Sequence, residues 1–247
     1  NHLREPRRAL RMAPAPIGAA PTGWHRGFVM AGVASIGLAA AVGMVLAQTV
    51  GWAVPLAAVP GLLVLWALAQ RHYPHSRFGM ANSATLLRGA LAVGLWAPLV
   101  HGAPGGWAVM GVATVALALD GVDGWAARRQ KLQSRFGARF DMEVDSILAA
   151  TLALHAALGG VWAPLALVLG GARYGFVAAG WIWPWLKAPL PDALWRKAAC
   201  VAQLASLIAL QAPVLSGLPA QGLAAAAVSV LVVSFARDVA WLRRHRR

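Results

Sequence analysis

GFVMAGVASIGLAAAVGMVLAQTVGWAVPLAAVPGLLVLWALAQ, residues 27–70, contains no Asp, Glu, Lys or Arg. One helical crossing of a bilayer takes about 20 apolar residues. A run of this length therefore holds two, turned near Gln48 and Thr49. The same pattern recurs outward along the chain. Charge is also missing from Gly89 to Leu119, from Ser146 to Ala172 and from Ala198 to Ala236. Short segments of alternating polarity, the mark of a membrane β-barrel, do not occur. The sequence thus predicts an all-α, polytopic integral membrane protein.

Composition agrees. Of 247 residues, 59% are hydrophobic and 12% charged, against about 25% charged in soluble domains. Mean hydropathy is +0.61. These values exclude a disordered chain, a disulfide scaffold and most soluble enzymes. The single cysteine, Cys200, permits no intramolecular disulfide and reads as a small packing residue.

Eight spans are expected, at about 27–48, 51–70, 82–101, 105–127, 138–158, 161–184, 193–211 and 219–240. The breaks fall at HGAPGG (101–106), Gly159-Gly160, PLPD (189–192) and SGLP (216–219), where Gly and Pro interrupt regular structure. The net charge of +14 could point to nucleic acid, but the arginines sit at chain ends and between apolar runs. That is the positive-inside pattern of a membrane protein, so no nucleic-acid partner is expected. The basic N-terminal segment (1–26), RHYPHSR (71–77), the segments near 128–139 and 187–197 and the basic tail (241–247) all fall inside. The turns near 49, 103, 160 and 215 are uncharged and fall outside. Trp24, Trp52, Trp107, Trp162, Trp181, Trp183, Trp185 and Trp241 lie near span ends, where indole favours the headgroup region. The apolar run after the basic N-terminus is long for a signal peptide, and a second span follows directly, so it reads as uncleaved. The sequence begins at Asn1, as a piece of a longer chain would.

Five of the eight acidic residues fall within 120–145. Acids in or beside membrane spans are costly and mark functional sites. Asp120 and Asp123 are spaced i, i+3 at the inner end of one span. Asp141 and Asp145 are spaced i, i+4 at the start of the next. On helices each pair shares a face, and a short inner loop lets the pairs converge. Carboxylates so close repel one another, and divalent cations relieve that repulsion. Hard oxygen ligands without nearby Cys or His favour Mg2+ or Mn2+ over zinc. Gly124 and Gly137 permit close helix packing or close approach of a ligand, and Arg128 stands one turn beyond Gly124. Among the remaining acids, Asp192 reads as a helix cap and Asp238, beside Arg237, as half of an anchoring ion pair. His101 and His155 read as packing or interface residues.

In full the segment reads Asp120-x2-Asp123-Gly124-x2-Ala127-Arg128-x8-Gly137-x3-Asp141-x3-Asp145. It resembles the signature of the CDP-alcohol phosphotransferase family at all eight fixed positions. A shorter segment, Asn82-x2-Thr85-x2-Arg88, resembles the N-x-x-T-x-x-R opening of that family's first core span. The resemblance implies a six-helix catalytic core over 80–240, preceded by an extra two-helix hairpin at 27–70. It implies transfer of a substituted phosphate from a CDP-linked donor to an alcohol, with release of CMP, at the cytoplasmic face and with two divalent metals. Asp120, Asp123 and Asp141 would ligate the metals. Asp145 would be the general base and share in metal binding. Gly124, Ala127 and Arg128 would line the CDP site, with Asn82 and Thr85 as further candidates. Gly137 would allow close packing there. The resemblance also points to CDP-diacylglycerol as donor, to membrane lipids around the protein and to a homodimer.

The acceptor is less defined. Arg173 interrupts an apolar stretch, so it should face a cavity or a partner. In relatives that accept phosphorylated alcohols, basic residues near this point hold the acceptor phosphate. A phosphorylated polyol such as glycerol 3-phosphate or inositol phosphate is therefore expected, with Arg173, Arg139, Lys187, Arg196 and Lys197 as candidate binders. The alternative is that Arg173 pairs with a motif Asp or a lipid phosphate and the others mark the inner side; serine, myo-inositol and choline stay open. Two rival functions remain: an intramembrane prenyltransferase, whose acidic motifs usually lie on separate helical repeats with different spacing, whereas here there is a single acidic region, and a cation-binding transporter or scaffold. The Ala, Gly and Arg bias points to a bacterial inner membrane.

Single cysteines at positions 75 and 103 in a Cys200→Ala background test the orientation. A membrane-impermeant maleimide is expected to label position 103 in intact cells and position 75 only after lysis. Labelling of both from one side would overturn the assignment.

Overall fold

The computed structural model describes residues 23–47, 53–130, 132–191 and 193–245, apart from the side chains of 55 and 122–128. The Gln48–Thr49 turn, Trp52, the Asp192 cap and most of the basic N-terminal segment lie outside the described residues. So do the side chains of Asp123, Gly124, Ala127 and Arg128.

Every regular element among the described residues is a helix: α1 (Trp24–Leu46), α2 (Val54–His72), α3 (Gly79–Gly94), α4 (Trp96–Val100), α5 (Trp107–Gln130), α6 (Arg135–Leu158), α7 (Ala163–Ile182), α8 (Leu194–Ala209) and α9 (Gly217–Arg244), with a 3-10 turn at Pro184–Lys187. α3 and α4 form one apolar unit interrupted at Leu95. Pro98 explains the break: it has no N–H for the carbonyl of Gly94, and its ring crowds that carbonyl. α6 begins at Ser134, whose Oγ accepts the Gly137 N–H at 3.0 Å, a standard N-cap.

By length and composition, four described segments can cross a membrane: Trp24–Leu46, Gly79–Val100, Ala163–Ile182 and Gly217–Arg244. Leu56–His72 and Trp107–Gly121 are shorter apolar helices. α6 is long, but its first turns carry Arg135, Arg139, Asp141, Glu143 and Asp145. α8, with 16 residues, spans about 24 Å at 1.5 Å per residue. The protein is thus a polytopic all-α membrane protein. Its large outward apolar side chains, among them Val45, Leu167, Trp181, Leu194 and Leu218, would be a liability in water and suit contact with lipid.

α3 lies at the centre of one half, packed on α1, α5 and α6; α6 also meets α7 and α8, and α9 closes against α7 and α8. One core cluster joins Leu91, Leu95, Leu148, Leu152, Leu169, Leu207 and Leu231. Several polar groups inside it are paired. Trp96 Nε1 donates to Thr151 Oγ1 at 3.0 Å, and buried His155 reaches the carbonyl oxygens of Leu95 and Ala103. A second cluster is aromatic. Trp24, expected at the headgroup level, is fully buried there, its ring centroid 5.0 Å from Trp66, 5.9 Å from Phe28 and 6.0 Å from Tyr73. It packs the hairpin onto α3 instead of anchoring it in lipid. Trp107, Trp162, Trp181 and Trp183 are exposed, as an interface role requires. Cys200, expected to pack inside, faces outward.

α7 approaches α6 through Gly170, where an added Cβ would stand 2.7 Å from Ala153 Cβ and 3.1 Å from Ala150 Cα. Overpacking of this kind costs about 1–3 kcal/mol. Gly170→Val is therefore expected to lower the unfolding temperature in detergent. Gly175→Ala, with open space at its Cβ, is expected to leave it unchanged or raise it, since Ala gains up to about 1 kcal/mol of helix propensity. Equal effects would contradict the close α6–α7 contact.

Candidate active site

Three helices deliver charge to one point. Asp120 comes from α5, Asp141 and Asp145 from successive turns of α6, and Arg88 from α3. Arg88 is completely buried. Its Nε donates to the Ala116 carbonyl at 3.2 Å, which fixes the guanidinium plane. One terminal nitrogen lies 2.8 Å from Asp120 Oδ1 and 2.5 Å from Asp141 Oδ1, and the other pairs with Asp145. The carboxylates are about a third exposed, with side-chain values of 36%, 36% and 34%. The arginine forms the floor and the carboxylates form a rim open to solvent.

Local sequence makes this approach possible. On α3, Gly89 follows Arg88 and faces Val144 of α6, where a Cβ would make only an ordinary contact at 3.6 Å; the tight approach lies elsewhere. Two turns earlier Asn82 Oδ1 lies against Gly137, where a Cβ would come within 3.0 Å of it. Gly137 thus stands where close packing beside the site needs it.

Among the described residues, one guanidinium faces three carboxyl groups, so the cluster is rich in acid. Two carboxylates about 4 Å apart repel by roughly 4 kcal/mol at an effective dielectric near 20, so the cluster favours a cation. One oxygen from each of Asp120, Asp141 and Asp145 lies within 4.8 Å of the others. An all-oxygen donor set of that size fits a hard divalent ion. The cluster is compatible with a divalent-metal site, and these three residues would hold the ion.

The other expected residues are placed as follows. Asn82 and Thr85 are buried on α3 with their donors taken: Asn82 Nδ2 by Phe78 O and the Tyr73 hydroxyl, Thr85 Oγ1 by Ala81 O. Arg173 of α7 pairs with Glu143 of α6, a partner outside the motif. Arg196 of α8 makes a two-pronged pair with buried Asp238 of α9, at 2.9 and 3.1 Å. Asp238 therefore anchors α8 rather than pairing with its neighbour Arg237. Arg139, Lys187 and Lys197 are exposed.

Arg88 was not among the expected site residues, although the sequence carried a signal for it. It is the last charge before the run 89–119, and an arginine at the edge of a span needs partners. Its three partners lie 32 to 57 positions away, so only the fold reveals them.

A buried arginine holding carboxylates from two consecutive helices, within a lipid-facing bundle, gives a membrane protein with a candidate divalent-metal site. The match to known families is specific: the chain belongs to the CDP-alcohol phosphatidyltransferase family, whose model covers residues 78–236. No curated protein and no solved structure matches the chain. The protein is accordingly a membrane CDP-alcohol phosphotransferase of phospholipid synthesis, acting on a CDP-linked donor and an alcohol acceptor. α1 and α2 precede the matched segment.

Arg88→Met is expected to destabilise the fold by about 3–5 kcal/mol, the usual cost of breaking a buried ion pair from one side. Arg88→Lys keeps the charge but loses the planar fork. It is expected to fold and to lose at least about 100-fold in activity. Wild-type activity in the lysine variant would show that Arg88 acts only as a charge.

Proposed function

We propose that the chain transfers a phosphatidyl group from CDP-diacylglycerol to a phosphorylated polyol, such as glycerol 3-phosphate or inositol phosphate, and releases CMP. The convergence of Asp120, Asp141 and Asp145 around Arg88 is the observation that carries this reading. Asp120, Asp123 and Asp141 hold two divalent ions, Mg2+ or Mn2+, with Asp145 sharing in the set. Bound there, such ions supply charge neutralisation of the pyrophosphate and stabilise the departing CMP. Gly124, Ala127 and Arg128 line the cytidine diphosphate site, beside Asn82 and Thr85.

In the reaction the acceptor oxygen attacks the phosphorus that carries diacylglycerol. A new P–O bond forms to the acceptor, the P–O bond to CMP breaks, and CMP leaves with the bridging oxygen. Asp145 takes the hydroxyl proton. Phosphoryl transfer needs positioning and charge compensation more than covalent help, and buried Arg88 supports both by fixing the carboxylates. The acceptor phosphate is held on the α7–α8 side. That side carries Arg173 on α7 and Arg196 on α8. Arg139, Lys187 and Lys197 add positive charge around the opening. In this reading a six-span core over 80–240 performs the chemistry and 27–70 is an added hairpin. The protein works as a homodimer in a bacterial inner membrane, with its site and both ends of the sequence facing the cytoplasm.

The test is CMP release from CDP-diacylglycerol by the purified protein with Mg2+ or Mn2+, across glycerol 3-phosphate, inositol phosphate, inositol, serine and choline. A phosphorylated polyol is expected to support turnover. Asp145→Asn is expected to abolish it while CDP-donor binding stays measurable. Full activity in that variant would remove Asp145 from the role of base, and turnover with serine or choline alone would replace the acceptor.

A further inference from the structure

The segment joining α2 to α3 makes more contacts with the site's supporting elements than a simple connection needs. Tyr73, its first residue, is buried. Its ring lies 6.0 Å from Trp24 of α1, 6.0 Å from Phe78 and 5.6 Å from Phe136 of α6. Its hydroxyl donates to the Arg77 carbonyl at 2.6 Å, with the Phe78 carbonyl at 2.9 Å as alternative acceptor. The same oxygen accepts from Asn82 Nδ2 at 3.1 Å. The second Asn82 amide hydrogen goes to Phe78 O at 2.6 Å. Both donors of the amide are thereby spent, and its remaining atom, Oδ1, is the one that rests against Gly137.

The same segment grips the connection between the two halves of the acidic motif. The Met80 N–H donates to Gln130 Oε1 at 2.9 Å, at the end of α5, and His75 Nε2 lies 3.2 Å from the Gln133 carbonyl. α5 carries Asp120, and α6, which follows this connection, carries Asp141 and Asp145.

We propose that Tyr73 is a positioning residue for the transfer site: through Asn82, wedged against Gly137, its hydroxyl sets the register of α3 against α6 that brings Arg88 between Asp120, Asp141 and Asp145. Asn82 and Arg88 are six residues apart on α3, and Gly137 and Asp141 are four apart on α6. The two contacts therefore pin the same helix pair at two heights, and loosening one shifts the other. Tyr73 lies before the family-matched segment, which starts at Phe78. Burial pushes the Tyr73 phenol above its ordinary pKa, with the Asn82 hydrogen bond as a smaller opposing influence. The hydroxyl thus stays a proton donor at working pH. The inference rests on the reading of the carboxylate cluster as a metal-holding site.

Tyr73→Phe keeps the ring and removes only the hydroxyl. The full-length protein in detergent is titrated with Mn2+, followed by the electron paramagnetic resonance signal of the free ion, without substrate. The variant is expected to need about 5–10-fold more Mn2+ for half-saturation, the scale of one lost buried hydrogen bond. In assays its half-saturating Mn2+ for CMP release should rise by a similar factor, with a smaller change in kcat at saturating metal. Gly137→Ala, which pushes on Asn82 from the other side, is expected to weaken Mn2+ binding likewise. In an Asn82→Ala background, Tyr73→Phe should add less than about 2-fold, because both act through one contact. Wild-type Mn2+ affinity in Tyr73→Phe with only a lowered unfolding temperature would overturn the proposal, as would additive effects in the double variant or no Mn2+ binding by the wild type. Failure of CMP release with every acceptor, alongside intact Mn2+ binding and the predicted shift, would refute the functional reading and leave the positioning role standing.

Discussion

A fully buried guanidinium held among three carboxylates is the interaction on which this structure turns. Burying an unpaired charge in a low-dielectric interior costs several kcal/mol, so Arg88 requires its partners. Those partners come from two helices joined by a short connection, so the pairs tie α3 to both α5 and α6. The requirement is asymmetric. Among the described residues one arginine meets three carboxyl groups, so the element that organises the site leaves an acid-rich cluster that suits a cation.

Small residues make that placement possible. Gly137 lets α3 and α6 approach, and Gly170 lets α7 approach α6. Lipid offers no hydrophobic drive between helices, so association in a membrane depends on close packing and polar contacts. The bundle uses both: glycine contacts along its length, and buried pairs such as Arg196–Asp238 near its charged end. The aromatic cluster of Trp24, Phe28, Trp66, Tyr73, Phe78 and Phe136 joins the hairpin to the same helix pair.

The fold class was legible in the sequence because charge is excluded from long runs, which is a one-dimensional property. The part of the acidic site on α6 was legible because the i, i+4 spacing of Asp141 and Asp145 converts directly into a shared helix face. Long-range pairing was not. Nothing local indicates that Arg88 meets Asp145, that Arg173 meets Glu143 or that Arg196, rather than Arg237, meets Asp238. Trp24 misled because indole at a span end is usually an interface anchor; here a neighbouring hairpin helix covers it. Tyr73 gave no signal, since its role depends on a hydroxyl meeting an amide nine residues later across a helix start.

The account's central claim is that this carboxylate cluster, assembled on Arg88, is the metal-holding centre of the transferase. Crystals of the wild-type protein grown with Mn2+ and measured at the manganese absorption edge test it most directly. The account predicts anomalous density within coordination distance of Asp120, Asp141 and Asp145, lost in Asp141→Asn. Density elsewhere, or none at the cluster under conditions where Mn2+ supports turnover, would contradict it.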